Sequence, residues 1–181
     1  MPQRLPPVLS PHDLPLAELT AARLDGELFR IDDAFAPVDE IDQPSLRAGA
    51  LRAVVPERLI AEQRSAAWIW GALDAPPIRH ELCVTAGART RSPGVSWMHV
   101  REVVIEPAEL ATIAGLQLTT PLRTVVDLAR FSTEFGEAEA LVCTWLMRRH
   151  GFGIADCLDD MDRRRNLPNK RQAADRLRRL P

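Results

Sequence analysis

The sequence predicts an α+β fold: a truncated winged-helix-like N-terminal element packed on a small mixed sheet-and-helix core, with a helical C-terminal tail. Three observations predict it. Near the N-terminus, "LPLAELTAARLDGELFRIDDAFAPVD" reads as helix, glycine stop and hairpin. In the middle, "HELCVT" and "VSWMHV" are short strand-like runs. From "LTTPLRTVVDLAR" onward the chain follows helix grammar.

Residues 1–13 are Pro-rich and expected to form a flexible lead-in. Residues 14–43 would form the partial winged-helix-like element. Leu16, Leu19, Ala22 and Leu24 give a helical face, and Gly26 ends it. "ELFRI" alternates as a strand does, Asp32-Asp33 turns the chain and "AFAPV" returns, with Pro37 restricting that strand to an edge.

Residues 44–134 would form the α/β core. "QPSLRAGALRAVVP" predicts a short helix between Pro44 and Pro56. "SAAWIWGAL" predicts another, with Ser65 as candidate N-cap and Gly71 near its stop. Trp68 and Trp70 cannot share one side of it, so one belongs to the core and the other to an interface or a neighbouring loop. The linker "AGARTRSPG" carries Arg89 and Arg91 at its tip. In "ELATIAGLQLTT", a tight reversal at Gly115 would deliver Leu116–Thr119 as a strand into the next helix.

That helix has the clearest start in the chain. Thr120 is a good N-cap and Pro121 falls at the first helical position, where a missing N–H costs nothing. Leu122, Val125, Val126 and Ala129 repeat at i, i+3, i+4 and i+7, an apolar face for a core. Arg123, Asp127 and Arg130 fall on another stripe, expected to face outward, with a local Arg123–Asp127 ion pair contributing up to about 1 kcal/mol. The arginine precedes the aspartate, the less favourable order for a surface pair. Residues 135–181 predict helices over 135–150 and 153–165, a Leu-Pro break, and a last helix from near Asn169.

Composition and motifs narrow the chemistry. Lys170 is the only lysine, so the acidic residue and Glu-x-Lys set of a PD-(D/E)xK nuclease cannot be assembled. Neither a phosphate-cradling glycine loop nor a G-x-S-x-G elbow occurs. His12, His80, His99 and His150 are scattered, with His80 and His99 able to approach only across a hairpin. Asp159, Asp160 and Asp162 would point different ways on a helix. Cys83, Cys143 and Cys157 have no ligand spacing and read as small buried apolar residues. No catalytic set, cofactor or metal is expected. No apolar run is long enough to span a bilayer and the N-terminus lacks a signal-peptide centre, so a cytoplasmic protein is expected.

What remains is binding. Net charge is −2, but from Ala140 onward ten Arg/Lys face five Asp/Glu, which leaves 13 against 20 before it. On a DNA-facing helix and wing, Thr20, Arg23 and Arg30 are the candidates, while Glu18 and the Asp32-Asp33 tip would repel phosphates. In the basic tail, Arg163, Arg164 and Arg171 are the candidates, without interleaved aromatics for base stacking. Both regions also admit plainer readings, a small scaffold and a solvated helical end.

The order of a winged-helix-like N-terminus, "RSAAWIWGAL", "VSWMHV" and the Gly115–Arg130 block "GLQLTTPLRTVVDLAR" resembles the AbiEi family of antitoxins from type IV toxin–antitoxin, or abortive-infection, systems. The likeness is to its actinobacterial branch and covers roughly residues 14–165, without a nuclease-like C-terminal domain. It implies a winged-helix DNA-binding module on an α/β antitoxin domain, a transcriptional repressor of its own operon, and opposition to a nucleotidyltransferase-like toxin. Arg123, Thr124 and Asp127 match the family block. The first helices of a full winged helix are replaced by the Pro-rich lead-in, so a protein-interaction module that has lost DNA binding is the alternative. The sequence leaves the oligomeric state open.

Overall fold

A computed structural model describes residues 6–87 and 95–180; Arg89 and Arg91 lie outside the described residues. The chain is an α+β protein that divides into two compact units. One comprises Met1–Leu59 with Thr112–Gln117, the other Ile60–Ala111 with Leu118–Pro181.

In the first unit, helix α1 (Leu16–Leu24) is followed by strands β1 (Leu28–Ile31) and β2 (Ala34–Pro37). The strands pair antiparallel, Leu28 with Pro37 through Ile31 with Ala34, around a turn in which Asp32 takes φ 54°. Leu9, Leu19, Leu28 and Phe35 form the core beneath them. Leu9 exchanges two backbone hydrogen bonds with Phe35, at 2.7 and 2.8 Å, so this part of the Pro-rich segment adds a bridge to the hairpin. Helix α2 (Pro44–Arg52) starts on its proline and buries Leu46, Ala48, Ala50 and Leu51.

A five-stranded sheet has the order β5-β4-β3-β7-β6, with β5, β4 and β3 in the second unit. β3 (Ile60–Ala61) runs antiparallel to β4 (His80–Thr85) and parallel to β7 (Leu116–Thr119); β4 and β5 (Met98–Val103) are parallel over six residue pairs. β6 (Leu110–Ile113) leads into β7 through Ala114 and Gly115, both at positive φ, the reversal expected at Gly115. The "VSWMHV" strand lies three residues later than expected: it begins at Met98 and continues through Arg101.

Among the described residues the second unit has five α-helices: α3 (Gln63–Trp70), α4 (Pro121–Phe131), α5 (Glu137–His150), α6 (Ile154–Asp162) and α7 (Lys170–Arg178). α4 begins as its sequence dictates, with Pro121 at the first position and Thr120 Oγ1 accepting from the Arg123 N–H at 3.4 Å. Its Val125, Val126, Leu128 and Ala129 meet Ala67 of α3, Val142 and Leu146 of α5, Cys157 and Met161 of α6, and Leu177 of α7 in one apolar cluster. α3 starts at Gln63, ahead of Ser65. The Ser65 hydroxyl lies inside the protein, accepting from the Glu81 N–H at 2.9 Å and standing 3.0 Å from His80 Nδ1. Trp68 is the core tryptophan; Trp70 is half-buried and donates its Nε1–H to the Thr119 carbonyl at 2.9 Å. All three cysteines are free and buried.

Candidate functional site

The charged stripe of α4 faces inward. This corrects the expectation of an outer face: Arg123 and Arg130 are 3 and 4% exposed and Asp127 is 0% exposed. At i, i+4 and i+7 they lie along one side of the helix, and that side is covered by side chains from distant parts of the second unit. Asp127 Oδ2 accepts from Arg123 Nε at 2.8 Å, and Oδ1 accepts from Arg130 Nη1 at 2.9 Å. Arg101 Nη2 of β5 stands 3.4 Å from Oδ2.

Each arginine has a second anchor. Arg101 grips Glu62 with both Nε and Nη2, at 2.5 and 2.6 Å. Arg123 Nη1 reaches Glu109 at 2.6 Å, and Arg130 Nε donates to the Pro168 carbonyl at 3.0 Å. Arg164 bonds both Glu109 and Asp160. The Arg101 and Arg130 guanidinium carbons lie 3.9 and 4.4 Å from the centroid of the Phe131 ring. Isolated buried charges would each cost several kcal/mol. Here they interlock, so every one faces an opposite charge.

The electrostatics follow from that wiring. Burial alone would raise the Glu109 carboxyl, but bonds from the Glu106 N–H and Arg123, with the Arg123 and Arg164 charges, hold it below its ordinary value. Burial works against the charged form of Arg123, yet Asp127 and Glu109 hold it more firmly protonated than usual. Arg130 goes the other way: burial first, then the charges of Arg123, Arg101 and Arg164, outweigh Asp127. Burial and the neighbouring Glu62 push the Cys83 thiol far up, which makes it a poor nucleophile.

A cleft of about 520 Å³ opens beside this network, walled by Arg101, Arg123, Arg130, Phe131 and the Arg163–Pro168 segment. Its deeper cations already carry carboxylate partners, and it gathers no nucleophile with an adjacent base. Among the described residues, no group of three or more His, Cys, Asp or Glu could hold a metal. The hairpin expected to bring His80 and His99 together is not formed: β4 and β5 run parallel, in a register that sets His80 beside Met98 and His99 beside Glu81. Asp160 and Asp162 are engaged by Arg164 and Lys170.

The six residues expected from sequence fall in three places. Thr20, Arg23 and Arg30 line one hollow of about 480 Å³ in the first unit, together with Asp33. Thr20 donates its hydroxyl to the Leu16 carbonyl, and Arg30 is exposed but bound to the Asp32 carbonyl and to Asp33 at 2.7 Å. Arg163 is exposed at the cleft of the second unit, where Arg164 is half-buried and ion-paired. Arg171 lines a separate hollow with Arg176 and Arg179. Sequence reasoning missed Glu62, Arg101 and Glu109. Their one signal is a charge set beside or within an apolar strand run, which is weak.

The model of the AbiEi antitoxin C-terminal domain matches residues 47–147, more than half of the chain, and the protein belongs to that family. AbiEi antitoxin domains are non-catalytic. Among solved structures, the chain is similar to the RV2827C protein from Mycobacterium tuberculosis, with 18% identity and a TM-score of 0.39 over 97% of this chain and 75% of that one. No curated protein matches it. Among the described residues no helix is long and apolar enough to cross a membrane.

Proposed function

We propose that this protein is an antitoxin-like transcriptional regulator of the cytoplasm that binds DNA at its own operator, represses its operon and counters a nucleotidyltransferase-like toxin. The observation that carries the DNA part is the convergence of Thr20, Arg23 and Arg30, from a helix and the hairpin after it, on one surface hollow. A helix and an adjacent hairpin can address a groove and the flanking phosphates together. Arg163, Arg164 and Arg171 are the further candidates, as phosphate contacts. Arg163 is the more open of the first two, because Arg164 is held by Glu109 and Asp160.

An electrophoretic mobility shift with the chain's own upstream region tests this. Binding should weaken steeply between about 50 and 200 mM salt, as phosphate contacts require. Arg23→Ala and Arg30→Ala should each weaken it without altering the circular-dichroism spectrum. The absence of a shift at low salt overturns the DNA reading.

A second reading, an interaction module without DNA binding, is favoured by the Arg30–Asp33 ion pair, which occupies the candidate wing cation. It expects co-purification with the toxin and no shift.

A further inference from the structure

Helix α5 carries an uncovered apolar stripe. Leu141 is 62% and Trp145 38% exposed, while Val142, Cys143, Leu146 and Met147 on the opposite side are buried in the core. Beside the stripe runs a groove of about 630 Å³, whose lining is completed by Ala72, Leu73 and Asp74. Trp145 lies over the end of α3: a Cβ on Gly71, which sits at φ +90°, would be 3.4 Å from its ring. The indole is therefore placed as a wall of the groove.

Charges bracket this stripe with opposite signs at its two ends. Glu137 stands at the first turn, and Arg148 and Arg149 in the last. None of the three has an ion-pair partner among the described residues. At about 100° per residue, Glu137, Ala138, Leu141, Trp145, Arg148 and Arg149 all fall within an arc of roughly 120°. Glu137 and Arg149 are separated by about 18 Å along the axis at 1.5 Å per residue.

The stripe is complementary to itself when reversed. A two-fold axis crossing α5 at the level of Cys143 sets Leu141 against Trp145 of a second copy. The same operation brings Glu137 beside Arg148 of the second copy on one edge of the stripe and Ala138 beside Arg149 on the other, and every contact is made twice. The side chains meet as apolar pairs in the middle with opposite charges at both ends. A parallel arrangement would instead set Glu137 against Glu137 and the arginines against each other.

We infer that the protein forms a two-fold symmetric dimer through antiparallel α5 helices, with Leu141 and Trp145 at its centre and Glu137–Arg148 ion pairs at its ends. The inference is independent of DNA binding, which the mobility shift tests on the first unit.

Sedimentation equilibrium of the full chain, from about 1 to 200 µM, tests it. The expected mass rises from 20.2 kDa towards twice that value. Leu141→Glu should hold the chain at monomer mass throughout, with an unchanged circular-dichroism spectrum because the site is exposed. Arg148→Glu should weaken association by about tenfold or more, by setting like charges together at both ends. Glu137→Arg combined with Arg148→Glu should restore it. A wild-type chain that stays monomeric overturns the inference, as does a dimer indifferent to Leu141→Glu. A charge-swapped variant that fails to recover also overturns it, because the antiparallel register requires that rescue.

Discussion

Arg123 Nε lies 2.8 Å from Asp127 Oδ2 on one face of α4, and both side chains are closed off from solvent. The order of the two residues, unfavourable for an exposed pair, is irrelevant inside a network where Asp127 also faces Arg130 and Arg101. Removing Asp127 would leave buried guanidinium groups short of a counter-charge. Asp127→Ala should therefore destabilise the protein by about 3–5 kcal/mol, read from the urea unfolding midpoint. A loss below about 1 kcal/mol would mean that the pair behaves as an exposed one.

The start of α4 was legible because its determinants are local: a capping threonine, a proline at the first position and an apolar repeat. The helix-and-hairpin at the N-terminus was legible for the same reason, through Asp32-Asp33 between two strand-like runs. The orientation of the charged stripe was not. An i, i+4, i+7 set of charges has the same spacing whether it meets water or protein, and what covers it comes from Glu62, Arg101 and Glu109, far away in sequence. Arg101 also explains the misplaced strand. A charged residue after "WMHV" looks like the end of an apolar run, yet its guanidinium is drawn in by Glu62 and the strand continues through it. Ser65 resembled a cap because serine favours that position, whereas its hydroxyl serves a buried contact with His80 and Glu81.

Glu109 gives the stability a defined pH dependence. Its folded carboxyl lies below the ordinary value of 4.5: although burial opposes ionisation, the Glu106 N–H, Arg123 and Arg164 outweigh it. The folded state therefore binds this proton less readily than the unfolded chain. The contribution is fully present above about 4.5 and is lost as pH falls through the lowered folded value. Glu109→Gln should flatten the acid side of the stability–pH curve while changing its slope above pH 6 little. A parallel curve would show that Glu109 contributes nothing to the acid limb.

Gly115 should not tolerate a side chain. It sits at φ +78°, and an added Cβ would come within 3.0 Å of Arg52 Nε. Gly115→Ala is expected to cost about 1 kcal/mol or somewhat more, part of it recoverable if the flexible arginine moves. Thermal unfolding of Gly115→Ala beside Gly115→Asn checks this, with asparagine expected to be the milder change because it tolerates the left-handed region.

The thiols should be inert until the protein opens. Burial raises Cys143 and Cys157 to about 12, and Cys83 higher still. At pH 8, a disulfide reagent should label none of the three free cysteines quickly in the native protein and all of them in urea. Rapid native labelling of Cys83 would show that the wall of strand and arginine around it opens readily.

Helix α4 is buried over most of its length: Arg123 through Arg130 form an unbroken run of buried residues. Hydrogen bonds in the middle of such a helix are not reached by fraying at its ends, since the residues around them are buried. Exchange of its central amide protons with deuterated solvent then requires the surrounding unit to come apart. Those protons are built-in reporters of total unfolding, and a bound molecule that slows them has tightened the entire unit.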